Sequence, residues 1–143
     1  MTDATSASDQ ADAASRPGLV DETLDRSVIA EFRLASPGRP DFISMLIDQF
    51  VEEAASHVGT LRDAAQRHDG QVLRDTAHNL KGSSRTIGAR RLASLCAQLE
   101  NSLDRTAGDD LVPLAAAIDV ELTRVRAAFA VELASPHESG SPR

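Results

Sequence analysis

His78 lies in the run Ala77-His78-Asn79-Leu80-Lys81-Gly82-Ser83-Ser84-Arg85-Thr86-Ile87-Gly88, whose residue types and spacing suit nucleophilic chemistry. On a helix, positions i, i+3 and i+4 share a face, so His78 has a cation, Lys81, and a residue without a side chain, Gly82, beside it. A histidine buried for structural reasons needs neither neighbour. Imidazole is a nucleophile at neutral pH, and its attack on phosphorus gives a phosphoramidate that can pass its group on. Such transfer depends on in-line approach and charge neutralisation more than on acid–base machinery. Lys81 supplies a mobile ammonium, and Gly82 leaves room for a partner's loop near the ring. Glycine inside a helix costs about 1 kcal/mol relative to alanine, so Gly82 asks for a reason. The alternative to access is a tight helix–helix contact.

Charge gathers around this histidine. Residues 74 to 91 hold Arg74, Lys81, Arg85, Arg90 and Arg91 against Asp75 alone, a net +4 that leaves −11 for the rest of a chain whose net charge is −7. The cluster reads as a patch that steers an acidic partner, or more plainly as a solvated helix face. The acidic total argues against a general nucleic-acid binder, which needs cations against phosphates. Aromatic content is 3%, all phenylalanine, so bases would find few stacking platforms.

The elements that must position His78 read as helices. Period-2 alternation and hairpin turn signals are lacking. A short first helix is expected from near Asp21, presenting Leu24, Val28, Ile29 and Phe32, and the run Ser36-Pro37-Gly38-Arg39-Pro40 breaks it. A long second helix runs from about Pro40 with the stripe Phe42, Leu46, Phe50, Ala54, Leu61 and Ala65, until Asp69-Gly70 ends it and starts the third. The third helix buries Leu73, Thr76, Ala77, Leu80, Ser84 and Ile87, with Gly88 as punctuation. The fourth buries Leu92, Leu95, Cys96, Leu99 and Leu103. Asp109 or Asp110 caps the fifth, with Pro113 in its first turn and the stripe Leu111, Leu114, Ala115, Ile118, Leu122, Val125, Phe129 and Leu133. Short connections between amphipathic helices predict an all-α, antiparallel up-down four-helix bundle with the first helix as an N-terminal cap.

The 143 residues predict one domain over 20–134. Residues 1–19 and 135–143 are too poor in apolar side chains to fold and are expected as disordered tails. No apolar run approaches the ~20 residues of a membrane span. The start lacks the basic and apolar pattern of a signal peptide, and mean hydropathy is −0.24, so a cytoplasmic protein is expected. The lone Cys96 allows no intramolecular disulfide.

On the wheel of the third helix, Ala77 and Leu80 point inward and His78 falls at the stripe's edge, half exposed. Arg74, Lys81, Gly82 and Arg85 lie on its side. His78 stands ten residues before Gly88 and Glu100 twelve after it, so antiparallel packing sets the two roughly level. Glu100 then accepts a hydrogen bond from Nδ1–H and leaves Nε2 as the nucleophile, or it is a rim carboxylate of little consequence.

These residues resemble the histidine-containing phosphotransfer (HPt) domain. Its pattern, His-x-Leu-Lys-Gly with a Gly six residues later, stands here as His78, Leu80, Lys81, Gly82 and Gly88, flanked by Ala77 and Ser83. Leu92, Cys96, Leu99 and Glu100 fit the next helix, and Leu24-Asp25, Pro40-Asp41-Phe42 and Phe50-Val51-Glu52 fit the upstream elements, so the likeness spans roughly 20 to 133. The resemblance implies a bundle that shuttles phosphate between receiver-domain aspartates in a multistep phosphorelay. His78 would be the phosphoacceptor and Lys81 would stabilise the phosphate. Gly82 and Gly88 would permit docking and the turn, with Arg74, Ser83 and Arg85 also on the partner side. Glu100 stands where the family often has Gln or Glu. Implied partners are a response-regulator receiver domain and a hybrid or sensor histidine kinase. No cofactor is implied: nothing resembles a P-loop or a kinase ATP site, and any Mg²⁺ would belong to the partner's acidic pocket. A monomer is expected.

Rival readings are fewer. A metal-binding bundle needs Glu-x-x-His elements, and the chain has only Glu53 and His57 at i, i+4. His57 reads as half-buried, His68 as a helix-end cation, and His137 lies in the tail. A histidine-kinase dimerisation segment would show an acidic residue after its histidine, where Asn79 stands. The serious alternative is a non-catalytic, HPt-like adaptor that binds a receiver or a kinase and inhibits or tethers it.

Overall fold

The computed structural model describes residues 23–35, 38–105 and 110–134. They form five helices: α1 (Arg26–Ala35), α2 (Pro40–Arg67), α3 (Gly70–Ile87), α4 (Arg90–Arg105) and α5 (Val112–Ala134). No strand occurs among them. No described helix is long and apolar enough to cross a membrane. The expected caps at Asp21 and Asp109, and both expected tails, lie outside the described residues.

Each helix end has a local cause. Asp25 opens α1: its carboxylate accepts the Ser27 backbone N–H at 3.0 Å. Pro40 occupies the first turn of α2, where its missing N–H is harmless. The α2–α3 turn departs from expectation. His68, not a glycine, takes the left-handed conformation (φ 57°), and its N–H and that of Asp69 close the last turn onto Ala65 and Ala64 carbonyls. Asp69 then caps α3 by accepting from Val72 N–H at 3.2 Å, and Gly70 becomes the first helical residue. α3 ends at Gly88 (φ 88°), whose carbonyl accepts the Asp25 N–H. The chain entering α1 is thereby tied to the α3–α4 turn. Asp110 serves α5 by accepting from Val112 N–H at 3.0 Å.

α2, α3, α4 and α5 form a ring in which each packs against its two neighbours, and α1 lies across one end against α2 and α3. Arg33 fastens α1 to α5 through the Glu132 carbonyl. The antiparallel sense shows in the pairs that face each other: Arg62 with Asp119 across α2–α5, and Arg74 with Asp104 across α3–α4. Phe50 and Phe129 meet edge-to-face at 6.3 Å in the core.

The buried face of α3 is the set read from periodicity: Leu73, Thr76, Ala77, Leu80, Ser84 and Ile87. That of α2 is displaced. Its N-terminal half buries Ile43 and Ile47, while Phe42 and Leu46 are only partly covered, and Val58 and Ala64 are buried as well. Apolar residues at 42, 43, 46 and 47 make two adjacent stripes, and only the neighbours α3 and α5 choose between them. Phe42 lies at the rim under the Arg39 guanidinium, 5.5 Å from its ring centroid. On α4, Leu95 and Leu103 are partly buried and Ala93 fully. Leu133, assigned to the α5 stripe, is exposed in the last turn.

Candidate functional site

α3 and α4 build the site between them. Ala77 and Leu80 anchor α3 in the core, which turns His78 outward on the intervening arc. Its side chain is 69% exposed, further into solvent than the half-exposed position expected. Across the groove, Leu99 is buried and Glu100, next to it, leans toward α3. His78 Nδ1 stands 3.1 Å from Glu100 Oε2. Among the described residues Nε2 has no hydrogen-bond partner, which leaves its lone pair directed at solvent when Nδ1 carries the proton.

Lys81 is not the mobile ammonium of the sequence reading. Its Nζ lies 2.5 Å from Glu100 Oε1, with the side chain largely covered. One carboxylate thus holds both the imidazole and the ammonium. Partial burial pushes the Glu100 carboxyl up, but its contacts with Lys81 and His78 outweigh that and hold it below the ordinary carboxylate range. Behind it, burial and then the Glu100 charge push the Cys96 thiol up to about 12, which leaves it an inert packing residue.

The other singled-out residues separate. Gly82 faces open space: an added Cβ would meet nothing within 4 Å, so no tight helix contact explains it. Arg74 is tied to Asp104. Ser83 is half-buried and donates its hydroxyl to the Leu80 and Asn79 carbonyls of its own helix. Gly88, expected on the partner side, is a residue of the α3–α4 turn. It is buried, and its place is the turn itself, with Asp25 and Val28 packed over it. Arg85 is exposed and, with Arg90, Ser94 and Ala97, borders a surface hollow of ≈ 330 Å³ beside that turn.

The basic patch is therefore smaller than its sequence count. Arg74, Lys81 and Arg91 sit in ion pairs with Asp104, Glu100 and Glu121. Among the described residues Arg85 and Arg90 carry no ion pair. Sequence reasoning missed Asp104, although its signal was available. Arg74 precedes His78 by four residues and Asp104 follows Glu100 by four, so the alignment that levels one pair levels the other.

A bundle carrying an exposed histidine in the His-x-Leu-Lys-Gly pattern defines a class, and comparison with known proteins agrees. A model of the Hpt domain family matches residues 45–128, and the chain belongs to that family. Histidine-containing phosphotransfer protein 5 of Arabidopsis thaliana is 28% identical over 84 residues, covering 57% of this chain and 54% of that protein. Chemotaxis protein CheA of Listeria monocytogenes is 30% identical over 86 residues, 54% of this chain and 14% of its own length. The chain thus spans about half of the Arabidopsis relative and a small part of CheA. The crystal structure of histidine-containing phosphotransfer protein B (HptB) from Pseudomonas aeruginosa superposes with a TM-score of 0.68 at 33% identity, covering 78% of this chain and 95% of that one.

Proposed function

We propose that this chain is a phosphorelay intermediate that accepts a phosphoryl group on His78 Nε2 and passes it to or from an aspartate of a response-regulator receiver domain. The observation that carries this is an exposed imidazole with Nδ1 engaged by Glu100 and, among the described residues, Nε2 unpartnered. The resemblance of the chain to proteins named for histidine phosphotransfer supports the same reading.

The step balances without a base. With the proton on Nδ1, the Nε2 lone pair attacks phosphorus of a receiver's aspartyl phosphate. The N–P bond forms as the O–P bond breaks, and the aspartate leaves as a carboxylate. The positive charge left on the ring faces the Glu100 carboxylate. The reverse step hands the group to an aspartate. Lys81, held on the same carboxylate as the ring, is the cation offered to the incoming oxygens, and Gly82 is the opening through which the partner's loop approaches. A hybrid or sensor histidine kinase, whose phosphoryl enters through its receiver, stands upstream.

The test is transfer from a receiver domain carrying radiolabelled aspartyl phosphate in the presence of Mg²⁺. One acid-labile, base-stable label per chain is expected, and His78→Gln should remove it with helicity unchanged. Label retained by that variant would refute the assignment, and binding of the receiver without any label on the unaltered chain would favour an adaptor.

A further inference from the structure

α5 is apolar around most of its circumference, although its outer side stands at the surface of the ring. A helix of that composition is ordinarily covered on every side. On α5, Val120 is 56% and Leu133 37% exposed, and across the α2–α5 seam Met45 is 57% exposed. The seam itself opens into a surface hollow of ≈ 490 Å³, floored by Ile47, Val51 and Phe129. Its rim carries opposite charges on opposite walls. Asp48 and Glu52 stand on the α2 wall and Arg126 on the α5 wall, all three exposed. Among the described residues none of them is in an ion pair. Farther along the same seam, Arg62 and Asp119 join the two helices at 2.6 Å. One stretch of the seam is thus closed by charge, and the other holds its charges apart over an apolar floor.

We propose that the α2–α5 face binds a second copy of this chain, giving a two-fold symmetric dimer with both His78 side chains left open. The proposal departs from the monomer expected from the sequence and does not depend on the chemistry of His78. The rim is complementary to itself, as a two-fold contact requires. An axis running along the seam sets α5 of one chain over α2 of the other at the same level. Within a chain, Phe50 meets Phe129 and Arg62 meets Asp119, so Glu52 and Arg126 differ by only about 3 Å along the axis. Arg126 of each copy therefore faces Glu52 of the other, with Asp48 one turn away, and Leu133 comes level with Met45. Met45, Asp48 and Glu52 share one side of α2 at i, i+3 and i+7. The net charge of −7 on each chain opposes association, but salt at physiological strength screens charges more than about 8 Å apart, and the rim charges would be in contact. In the ring the α2–α5 seam lies opposite the α3–α4 seam, so the dimer carries its two histidines on its outer sides.

The experiment is sedimentation of the full chain over concentrations from about 1 µM to about 500 µM, with a shift from monomer to dimer expected within that range. Val120→Glu and Arg126→Glu should each weaken the dimer at least about tenfold, since each sets a carboxylate against an apolar or acidic surface. The double variant Asp48→Arg, Glu52→Arg should weaken it likewise. Mixed in equal amounts, Arg126→Glu and that double variant should form a dimer that neither forms alone, because both halves of the contact again pair opposite charges. All these positions are exposed, and circular dichroism should show the helicity of the unaltered chain in each variant. A chain that remains monomeric to about 500 µM would overturn the proposal and leave the face to another occupant, residues 1–22 or 135–143 of this chain or a different protein. A dimer of unchanged strength in Val120→Glu and in both charge-reversed variants would overturn it by placing the contact elsewhere. Charge-reversed variants that fail to recombine would overturn the two-fold arrangement.

Discussion

At the scale of single residues, the site consists of three side chains and one missing side chain. His78 offers a nitrogen, Glu100 orders it, Lys81 brings positive charge, and Gly82 leaves the approach open. Because Lys81 starts in an ion pair, the role proposed for it in transfer requires it to change partners. Lys81→Ala should slow phosphotransfer about tenfold to a hundredfold while the receiver still binds, and rapid-quench rates equal to those of the unaltered chain would remove its role. Gly82 separates stability from function. Its Cβ position is empty, so Gly82→Ala should stabilise the bundle by about 1 kcal/mol in urea unfolding, the ordinary helix-propensity gain. Gly82→Gln should instead weaken receiver binding, and a titration with unchanged affinity would show that access at this point is not limiting.

At the scale of elements, the helical hairpin of α3 and α4 sets the register of the site. Gly88 turns the chain with φ 88°, and an added Cβ would stand 3.0 Å from the Asp25 carbonyl oxygen and 3.1 Å from Val28 Cβ. Gly88→Ala should therefore cost at least about 1 kcal/mol from the left-handed conformation alone, with the crowding of α1 added to it. A urea midpoint unchanged by this substitution would contradict the packing of α1 on the turn. The same turn gives Gly88 a structural reason to belong to the motif. It fixes the level at which Glu100 meets His78.

At the scale of the whole molecule, the least comfortable group is Glu121. It is 1% exposed on α5, facing α4, with Oε1 at 3.4 Å from Arg91 Nε and 3.6 Å from an Arg124 guanidinium nitrogen. Burial raises its carboxyl above the ordinary range despite the pull of Arg91 and then Arg124. The folded state then holds this proton more tightly than the unfolded state, so the contribution of Glu121 to stability falls as pH rises through and above the ordinary carboxylate range. Glu121→Gln should remove that penalty. Its gain in unfolding free energy over the unaltered chain should be larger at pH 7 than at pH 4, and a gain independent of pH would refute this ionisation account. Glu100 works with the opposite sign. Its lowered carboxyl adds stability above the ordinary range, which is lost as pH falls. Glu121 was legible in principle. It falls at i+3 from Ile118 and i−4 from Val125, within the apolar stripe of α5, yet its charge kept it out of the expected core.

The amino-acid sequence alone determined the helices, the buried face of α3, the outward turn of His78 and the level of Glu100, because these follow from a 3.6-residue period and from one glycine that places two helices antiparallel. The tertiary structure alone decided which of two adjacent stripes α2 buries, that His68 rather than a glycine makes the α2–α3 turn, and that Lys81 and Arg74 are already in ion pairs. Periodicity fixes the direction of a side chain from its own axis. Its partner depends on the rotation and offset of the neighbouring helix, which only the packing of all the helices sets.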